Sequence, residues 1–516
     1  MVAKVLTSTV IGLEAYKIEV EVDILNSLPG VSIVGLPDTA VTEARERVKS
    51  AIKNSGYLFP NKKIVVNLAP ADIKKEGTNY DLPIAMGILA QDGVLNHEKF
   101  KDYVFVGELS LDGSLKPING ILPIVSGLKE LGISKIILPK ENSIEAALIP
   151  EIEVYPAQNL NEVVNHFIDD EAIVQKLNKF TIDINKYFEK ATETEYQYDF
   201  KDVKGQQKAK LAMEIAAAGG HNLLMSGSPG AGKTLLSKCF MSILPPLEIE
   251  EAIELTKIYS ISGLLEKENP LITTRPFRAV HHSASAVGII GGGSNPKPGE
   301  ISLAHRGVLF LDEIVEFPRN VLEVLRQPLE DGEVVISRVH TSIKYPADFM
   351  LLAAMNPCPC GFLGDKQKPC TCSQFQIDRY KARLSGPLLD RIDLQIEVPR
   401  LTSDELLNTK PPTETSKDIK ARVIKARKIQ KERYKNDGIL TNSQLTPKLV
   451  KKYCTLDEKS QEILKMAVAK FDLSGRSYDR VLKLARTIAD LDEKENIEAK
   501  HIAQALQYRV SNTSSN

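Results

Sequence analysis

Residues 222–234 read Asn-Leu-Leu-Met-Ser-Gly-Ser-Pro-Gly-Ala-Gly-Lys-Thr, and this stretch decides the fold of the middle of the chain. It starts with an apolar run that predicts a buried strand, and residues 227–234 match the spacing G-x-x-x-x-G-K-[ST] at every position. The run 235–244 that follows predicts a helix. A strand, a glycine-rich turn and a helix in this order place backbone N–H groups around phosphate oxygens. The stretch predicts a nucleotide-binding P-loop, since a chance glycine-rich turn would not match at all positions.

Two side chains of the predicted P-loop carry most of its chemistry. Lys233 is expected to reach the β- and γ-phosphates of ATP, and the hydroxyl of Thr234 is expected to bind Mg²⁺. The nucleotide-binding residues are then those of the whole motif: Gly227, Ser228, Pro229, Gly230, Ala231, Gly232, Lys233 and Thr234.

A second motif follows about 80 residues later, where residues 307–313 read Gly-Val-Leu-Phe-Leu-Asp-Glu. Four apolar residues predict a buried strand, and ligands collect at the carboxyl ends of parallel strands. Asp312 is expected to help hold Mg²⁺, and Glu313 to orient and deprotonate the attacking water as the general base. A surface turn with two acidic residues is the alternative, and the buried strand before it argues against that interpretation.

Apolar strands alternate with helical stretches from residue 200 to about 399, which predicts an α/β fold with a parallel sheet. Asn356 follows one of these strands (349–354), so it is either a turn residue or an amide that contacts phosphate and water. Arg391 and Arg476 lie in suggestive segments. Either arginine could stabilise the charge of phosphoryl transfer or be an ordinary surface residue.

The chain has 516 residues, which exceeds what one hydrophobic core organises, so we expect several domains. Residues 1–168 mix short strands and helices and predict an α+β domain. Residues 169–200 are polar and predict a linker. Residues 201–400 are assigned to the ATPase core, and the helical pattern of 401–516 predicts a separate helical domain.

The charge balance excludes a strongly basic nucleic-acid-binding protein, because 66 basic residues face 67 acidic ones. Contacts with nucleic acid would need local patches. The candidates are Lys297, Arg338, His340, Lys344 and the basic helix 417–435, which could equally be a solvated helix. No apolar stretch reaches the length of a bilayer span, and acidic residues interrupt the N-terminal segment, so we expect a cytoplasmic protein without membrane contact.

Four of the six cysteines lie close together in the sequence, and we call Cys358, Cys360, Cys370 and Cys372 the cysteine cluster. Four thiolates are the ligand set of a closed structural Zn²⁺ site. The pairs have C-x-C spacing, which is less typical than C-x₂-C. Four unrelated reduced cysteines are the alternative. The sequence favours a metal that stiffens the loop and does not catalyse.

Together the motifs identify a family. The diagnostic segments are 275–283 (Arg-Pro-Phe-Arg-Ala-Val-His-His-Ser), 291–305 (Gly-Gly-Gly-Ser-Asn-Pro-Lys-Pro-Gly-Glu-Ile-Ser-Leu-Ala-His), 356–361 (Asn-Pro-Cys-Pro-Cys-Gly) and 385–393 (Ser-Gly-Pro-Leu-Leu-Asp-Arg-Ile-Asp). The chain resembles the ComM/YifB branch of the magnesium-chelatase-like AAA+ ATPases over nearly its full length. The resemblance implies an AAA+ core with a C-terminal helical lid and a ring, usually a hexamer, with ATP between subunits.

The resemblance also assigns roles. It implies that Asn356 is sensor 1, Arg391 the arginine finger that reaches the neighbouring subunit, and Arg476 the sensor-2 arginine, with Arg480 as the alternative. It implies that an insert before residue 307 and a hairpin at Glu333–Tyr345 line the pore. The implied activity is that of an ATP-driven helicase on single-stranded or branched DNA, which promotes branch migration in natural transformation. A chelatase-like motor, or a chaperone or protease acting on a protein partner, is the alternative.

The N-terminal region resembles the Lon-protease-like domain of the ribosomal-protein-S5 type, through residues 105–113 (Phe-Val-Gly-Glu-Leu-Ser-Leu-Asp-Gly) and 137–142 (Ile-Leu-Pro-Lys-Glu-Asn). An active Lon-type site has a serine where residues 75–81 read Lys-Glu-Gly-Thr-Asn-Tyr-Asp, and a lysine where 119–122 read Asn-Gly-Ile-Leu. Acyl transfer needs a nucleophile and its base. We therefore expect a proteolytically inactive platform for assembly or binding.

Overall fold

The computed structural model describes residues 2–168, 176–192, 196–266, 268–293, 296–337, 342–402, 405 and 414–509. The chain divides into two compact units. The first comprises Met1–Ala191, Ile249–Thr273 and Val339–Lys344; the second comprises Thr192–Glu248, Thr274–Arg338 and Tyr345–Asn516. Ile249–Thr273 falls inside the range 201–400 that the sequence assigned to the ATPase core. The domain boundaries stay a prediction, and parts of the predicted linker 169–200 and of the predicted helical domain 401–516 lie outside the described residues.

The first unit is built on a seven-stranded mixed sheet with the order β3-β4-β2-β1-β5-β8-β9. The strands, with the short pair β6 and β7, are β1 (Ala3–Ile11), β2 (Glu14–Leu25), β3 (Gly30–Val34), β4 (Lys63–Ala69), β5 (Tyr103–Phe105), β6 (Glu108–Leu109), β7 (Leu115–Lys116), β8 (Lys135–Pro139) and β9 (Glu153–Ala157). The helices are α1 (Thr39–Asn54), α2 (Asp81–Gln91), α3 (Ile121–Glu130), α4 (Ser143–Ala146), α5 (Leu160–Phe167) and α6 (Asn185–Thr192).

Alternation of apolar and polar residues explains this sheet. In β2 the side chains of Ile18, Val20 and Val22 are fully buried while the residues between them face outward. Strands with this period of two bury one face against helices. Helix α1 begins where the carboxylate of Asp38 accepts a hydrogen bond from the backbone N–H of Val41 at 2.8 Å.

The second unit contains a five-stranded sheet with the order β11-β14-β17-β10-β18. Its strands are β10 (Leu223–Ser226), β11 (Phe277–Val280), β14 (Val308–Leu311), β17 (Met350–Met355) and β18 (Leu394–Glu397). All four neighbouring pairs are parallel. The predicted α/β fold with a parallel sheet is confirmed, and edge strand β11 is an addition to the predicted strands.

The remaining elements connect or cover these strands. The short strands are β12 (Gly291–Gly292), β13 (Lys297–Pro298), β15 (Glu333–Ser337) and β16 (Ser342–Pro346). The helices up to β18 are α7 (Gln207–Gly219), α8 (Lys233–Ile243), α9 (Ile249–Ser262, in the first unit), α10 (Ala286–Ile290), α11 (Glu300–Leu303), α12 (Arg319–Val324), α13 (Pro328–Asp331), α14 (Gln374–Lys381) and α15 (Gly386–Leu389). The C-terminal helices are α16 (Ser416–Tyr434), α17 (Pro447–Tyr453), α18 (Glu458–Phe471), α19 (Gly475–Leu491) and α20 (Ala499–Gln507).

One hydrophobic core joins the sheet of the second unit to the C-terminal helices. Leu223 and Leu352 of the sheet belong to the same buried cluster as Val423 of α16 and Ile488 of α19. Burial of such a large apolar surface is the main stabilising contribution to folding. None of the described helices combines the length and the apolar character that crossing a bilayer requires.

Candidate active site

Three neighbouring strands of the second unit end at the same edge of the sheet. Strand β10 ends at Ser226, β14 at Leu311 and β17 at Met355, and the strands run parallel. The next residues along the chain start the P-loop, the acidic pair and the predicted sensor 1. The carboxyl ends of parallel strands are where ligands bind in open α/β sheets.

The P-loop has the backbone shape that its glycines allow. Gly230 and Gly232 adopt φ angles of +80° and +90°, in the left-handed region that glycine enters without steric cost. Gly227 has no room for a side chain, because a Cβ there would lie 2.2 Å from the carbonyl oxygen of Val398. Helix α8 begins at Lys233, so its N-terminus faces the loop.

Lys233 is the buried cation of this site, with 9% of its surface exposed. Its Nζ donates to the carbonyl oxygen of Gly227, to that of Ser228 at 3.2 Å, and to Oδ1 of Asn356 at 3.2 Å. Burial lowers the pKa of Lys233. The ammonium group is held among oxygen acceptors at the place where the motif expects phosphate oxygens.

The expected Mg²⁺ ligands lie beside each other. The hydroxyl of Thr234 donates to Oδ2 of Asp312 at 3.1 Å, and Oδ1 of Asp312 accepts the backbone N–H of Glu313 at 3.0 Å. A hydroxyl and a carboxylate are the hard oxygen ligands that Mg²⁺ prefers, with water and phosphate completing its octahedron. The donor set therefore fits the ion that the sequence predicts.

Glu313 has an unusual backbone, with φ +51° and ψ +46° in the left-handed region. Such a conformation is uncommon for a residue with a side chain and clusters at functional sites. Half of its side chain, 54%, is exposed, and Oε2 lies 4.0 Å from Nδ1 of His282. The ring of His282 in turn lies 4.0 Å from that of His281, centre to centre. The carboxylate can face a water molecule at the open end of the sheet.

The predicted arginine finger is a buried residue of this chain. Arg391 is 9% exposed; its guanidinium donates to the carbonyl oxygen of Pro387 at 2.8 Å and forms an ion pair with Glu330. Arg391 is not brought to the P-loop of its own chain. An arginine finger would act at the ATP site of a neighbouring subunit.

The two sensor-2 candidates differ in their surroundings. Arg476 lies in the first turn of α19 and is exposed, and no described carboxylate forms an ion pair with it. Arg480, one turn later, is largely buried, and its guanidinium lies 3.7 Å from Oδ1 of Asp393. Burial alone would raise the pKa of Asp393, but the nearby His221 and Arg480 hold it below its ordinary value. The guanidinium of Arg480 is thus already paired with the buried carboxylate of Asp393.

The cysteine cluster is compact. Among the residues that the structure describes, its four side chains form the one group able to hold a metal ion, with all sulfur atoms within 4.8 Å of one another. Sγ of Cys358 lies 3.4 Å from that of Cys360 and 3.6 Å from that of Cys370. Zn–S bonds of about 2.3 Å in a tetrahedron require S–S distances of about 3.8 Å. The arrangement fits a closed four-thiolate site.

Three family models match the chain: "Magnesium chelatase, subunit ChlI" over residues 199–406, "Subunit ChlI of Mg-chelatase" over residues 20–142, and "Magnesium chelatase, subunit ChlI C-terminal" over residues 413–509. Competence protein ComM of Haemophilus influenzae is 44% identical over 502 residues, which cover 97% of this chain and 96% of that protein. The chain belongs to the ComM/YifB family of magnesium-chelatase-like AAA+ ATPases.

Further members of the ComM/YifB family span the chain in the same way. The uncharacterized protein YifB of Escherichia coli is 42% identical over 504 residues, 98% of this chain and 96% of its own length. The uncharacterized protein Rv2897c of Mycobacterium tuberculosis is 38% identical over 499 residues, 96% of each chain. Membership in this AAA+ family supports an ATPase motor with ATP and Mg²⁺ as its ligands, in agreement with the sequence prediction.

The basic residues that the sequence offers for nucleic-acid contact differ in their exposure and in their ion pairs. Lys297 and Lys344 are exposed on β13 and β16, whereas Arg338 and His340 lie outside the described residues. Four of the basic residues of α16 form ion pairs with acidic side chains: Arg422 with Glu214, Lys425 with Glu493, Lys431 with Glu248, and Arg433 with Asp490. Charges that are already paired attract phosphates less strongly. This pairing favours the interpretation of α16 as a structural lid helix.

In the first unit, two ionisable residues of segment 75–81, where an active Lon-type site would have its serine, make contacts within the unit. Lys75 is buried, and its Nζ donates to the carbonyl oxygen of Pro70. The buried carboxylate of Asp81 accepts two hydrogen bonds from Arg47, at 2.7 and 2.9 Å. Both ionisable side chains are thus used in contacts within the first unit.

Three contacts at the site were not predicted from the sequence. His282 belongs to the family motif, but nothing in its spacing indicates the contact with Glu313. Glu330 has no motif and is recognised only by its ion pair with Arg391. Gly361 follows the second cysteine, and its position against Pro229 of the P-loop depends on tertiary structure.

Proposed function

We propose that this chain is an ATP-hydrolysing ring motor, most often hexameric in its family, that acts on single-stranded or branched DNA in the cytoplasm during natural transformation or recombination. The convergence of Lys233, Thr234, Asp312, Glu313 and Asn356 at one sheet edge supports ATP hydrolysis. Identity of 44% to a protein named for competence, over nearly the whole chain, supports the DNA substrate.

In the proposed reaction, each of these residues at the carboxyl edge of the sheet has its own role. Thr234 and Asp312 would hold Mg²⁺, which would supply positive charge next to the phosphates. Glu313 takes the proton of the attacking water. Lys233 and Asn356 direct an ammonium and an amide at the oxygens on which charge develops, and fixed donors of this kind lower the barrier to phosphoryl transfer.

Two arginines complete the proposed site. Arg391 acts on the ATP of the neighbouring subunit, so assembly must exchange its contact with Glu330 for a phosphate. Arg476 acts as sensor 2 from the lid, because Arg480 is occupied by Asp393. An arginine at a transferring phosphoryl group supplies positive charge in the transition state.

The DNA substrate is tested by ATP turnover and strand displacement on a forked DNA at stated salt concentrations. We expect forked DNA to stimulate turnover and to be unwound, and the Glu313→Gln variant to bind the fork without unwinding it. Turnover that no single-stranded or forked DNA stimulates would contradict the DNA proposal and leave the ATPase in place.

A motor that remodels a protein partner, or a chelatase-like motor, is the second candidate. The pairing of four basic side chains on α16 favours it, because this pairing reduces the positive charge that α16 could offer to DNA. Stimulation of turnover by a protein partner and not by DNA would support this candidate.

The proposed metal of the cysteine cluster is a structural Zn²⁺. Four soft ligands suit zinc, and a closed set of four leaves no open position for catalysis.

A further inference from the structure

The cysteine cluster lies directly beside the P-loop. Gly361 follows Cys360 and adopts φ +84°, and a Cβ added to it would lie 2.7 Å from Cδ of Pro229. Pro229 is the third residue of the P-loop. The metal-binding loop and the phosphate-binding loop are therefore in van der Waals contact, with no room for even one methyl group between them.

A second connection runs through the strand that precedes the cluster. Asn356 directly follows β17 and accepts a hydrogen bond from Lys233 at 3.2 Å, and Cys358 follows two residues later with no exposed surface. The cysteine loop is thus connected to the phosphate site through Asn356 as well as through Gly361.

The interior of the loop is organised around the sulfur atoms. The backbone N–H of Cys360 donates to Sγ of Cys372, and that of Cys372 donates to Sγ of Cys370, both at 3.4 Å. Hydrogen bonds of this kind orient metal ligands and stabilise thiolates. Residues 358–373 contain no helix or strand, so the sulfur atoms are the main cross-links available to fix the loop.

We propose that the cysteine cluster binds Zn²⁺ and that this site braces the P-loop, so that metal occupancy sets the affinity for nucleotide. The proposal rests on the proposed ATP site at residues 227–234. Without the metal, the four side chains lose their common ligand, the loop gains conformational freedom, and Gly361 no longer holds Pro229 in place. Nucleotide binding must then reorder the loop, and the free-energy cost of this ordering lowers the affinity for nucleotide.

The first test measures zinc content and the affinity for a fluorescent ATP analogue in the full-length protein purified without chelator. We expect one zinc per chain. In Cys370→Ser/Cys372→Ser we expect no zinc and an affinity weaker by about tenfold, a free-energy change of about 1.4 kcal/mol. Cys454→Ser, a buried cysteine outside the cluster, is the matched control and should keep both zinc and affinity.

The second test separates the contact from the metal. Gly361→Ala should retain zinc and lose affinity for the analogue. Gly364→Ala, in the same loop and also at positive φ (+78°), should retain both, because a Cβ there meets no atom within 4 Å. This pair keeps the proposal testable if the cysteine variants do not fold.

The outcomes are distinguishable. Wild-type protein without zinc, and without uptake of added zinc, would overturn the metal site. Loss of zinc with unchanged affinity, or equal affinities of the two glycine variants, would overturn the brace. A wild-type chain that binds zinc but no ATP analogue would overturn the proposed nucleotide site itself.

Discussion

The Nζ of Lys233 lies 3.2 Å from Oδ1 of Asn356, although 123 residues separate them in the chain. The lysine belongs to the P-loop after β10, and the asparagine follows the neighbouring strand β17. The contact places a cation and an amide on the same side of the proposed phosphate site. Each of the two groups can be tested separately.

Removal of the lysine should strongly weaken nucleotide binding. Lys233→Ala deletes the buried ammonium group, and charge-assisted hydrogen bonds contribute about 1.5–3 kcal/mol each, so affinity should fall by about a hundredfold. The measurement is titration with a fluorescent ATP analogue. Lys238→Ala, on the exposed face of the same helix, is the matched control and should bind normally. Normal binding by Lys233→Ala would show that the nucleotide lies elsewhere.

Removal of the amide should slow turnover more than it weakens binding. Asn356→Ala is expected to lower kcat by about a hundredfold, as the loss of one fixed hydrogen-bond donor does in other active sites. Affinity for the analogue should change by less than about tenfold, because the P-loop is intact. Steady-state kinetics with analogue titration distinguishes the two effects. Equal losses in both would indicate that Asn356 only holds Lys233 in place.

Arg391 should act in trans. Arg391→Ala should bind nucleotide and fail to hydrolyse it, and mixing it with Lys233→Ala should restore part of the activity, because mixed rings then contain intact composite sites. Arg383→Ala, which removes an exposed arginine paired with Glu316, is the control and should remain active. Absence of any recovery on mixing, in rings shown to have mixed, would contradict the assignment.

The two lid arginines should differ in what they stabilise. Arg480→Ala leaves the carboxylate of Asp393 without one of its cationic neighbours in a buried place, and breaking a buried pair costs about 3 kcal/mol or more, so Tm should fall by several degrees. Arg476→Ala should leave Tm unchanged and reduce turnover. Thermal unfolding and ATPase assays on both variants distinguish the structural role from the catalytic one. A Tm loss in Arg476→Ala with normal turnover would reverse the roles.

The sequence was most informative where function is encoded locally. The P-loop and the Asp312–Glu313 pair are continuous motifs whose spacing fixes their chemistry, and the parallel sheet follows from the apolar strands that deliver them. The clustering of four cysteines in the sequence likewise predicts a four-thiolate site, and their sulfur atoms lie within 4.8 Å of one another.

Long-range contacts could not be predicted from the sequence. The spacing of residues gives no sign that Glu330 pairs with Arg391, that Gly361 meets Pro229, or that α9 belongs to the first unit. The surface charge of the basic helix α16 could not be predicted from the sequence either. The sequence displays its lysines and arginines, but the acidic partners of four of them come from distant segments, so part of the apparent positive charge is neutralised.

The central claim is that water attacks the bound triphosphate with Glu313 as its base, and one comparison tests it most directly. The affinity for the ATP analogue and the rate of phosphate release are measured for wild type, Glu313→Gln and the neighbouring control Glu316→Gln. We expect Glu313→Gln to bind as wild type does and to release phosphate at least about a hundredfold more slowly, with the control active. Phosphate release at the wild-type rate by Glu313→Gln would contradict the account.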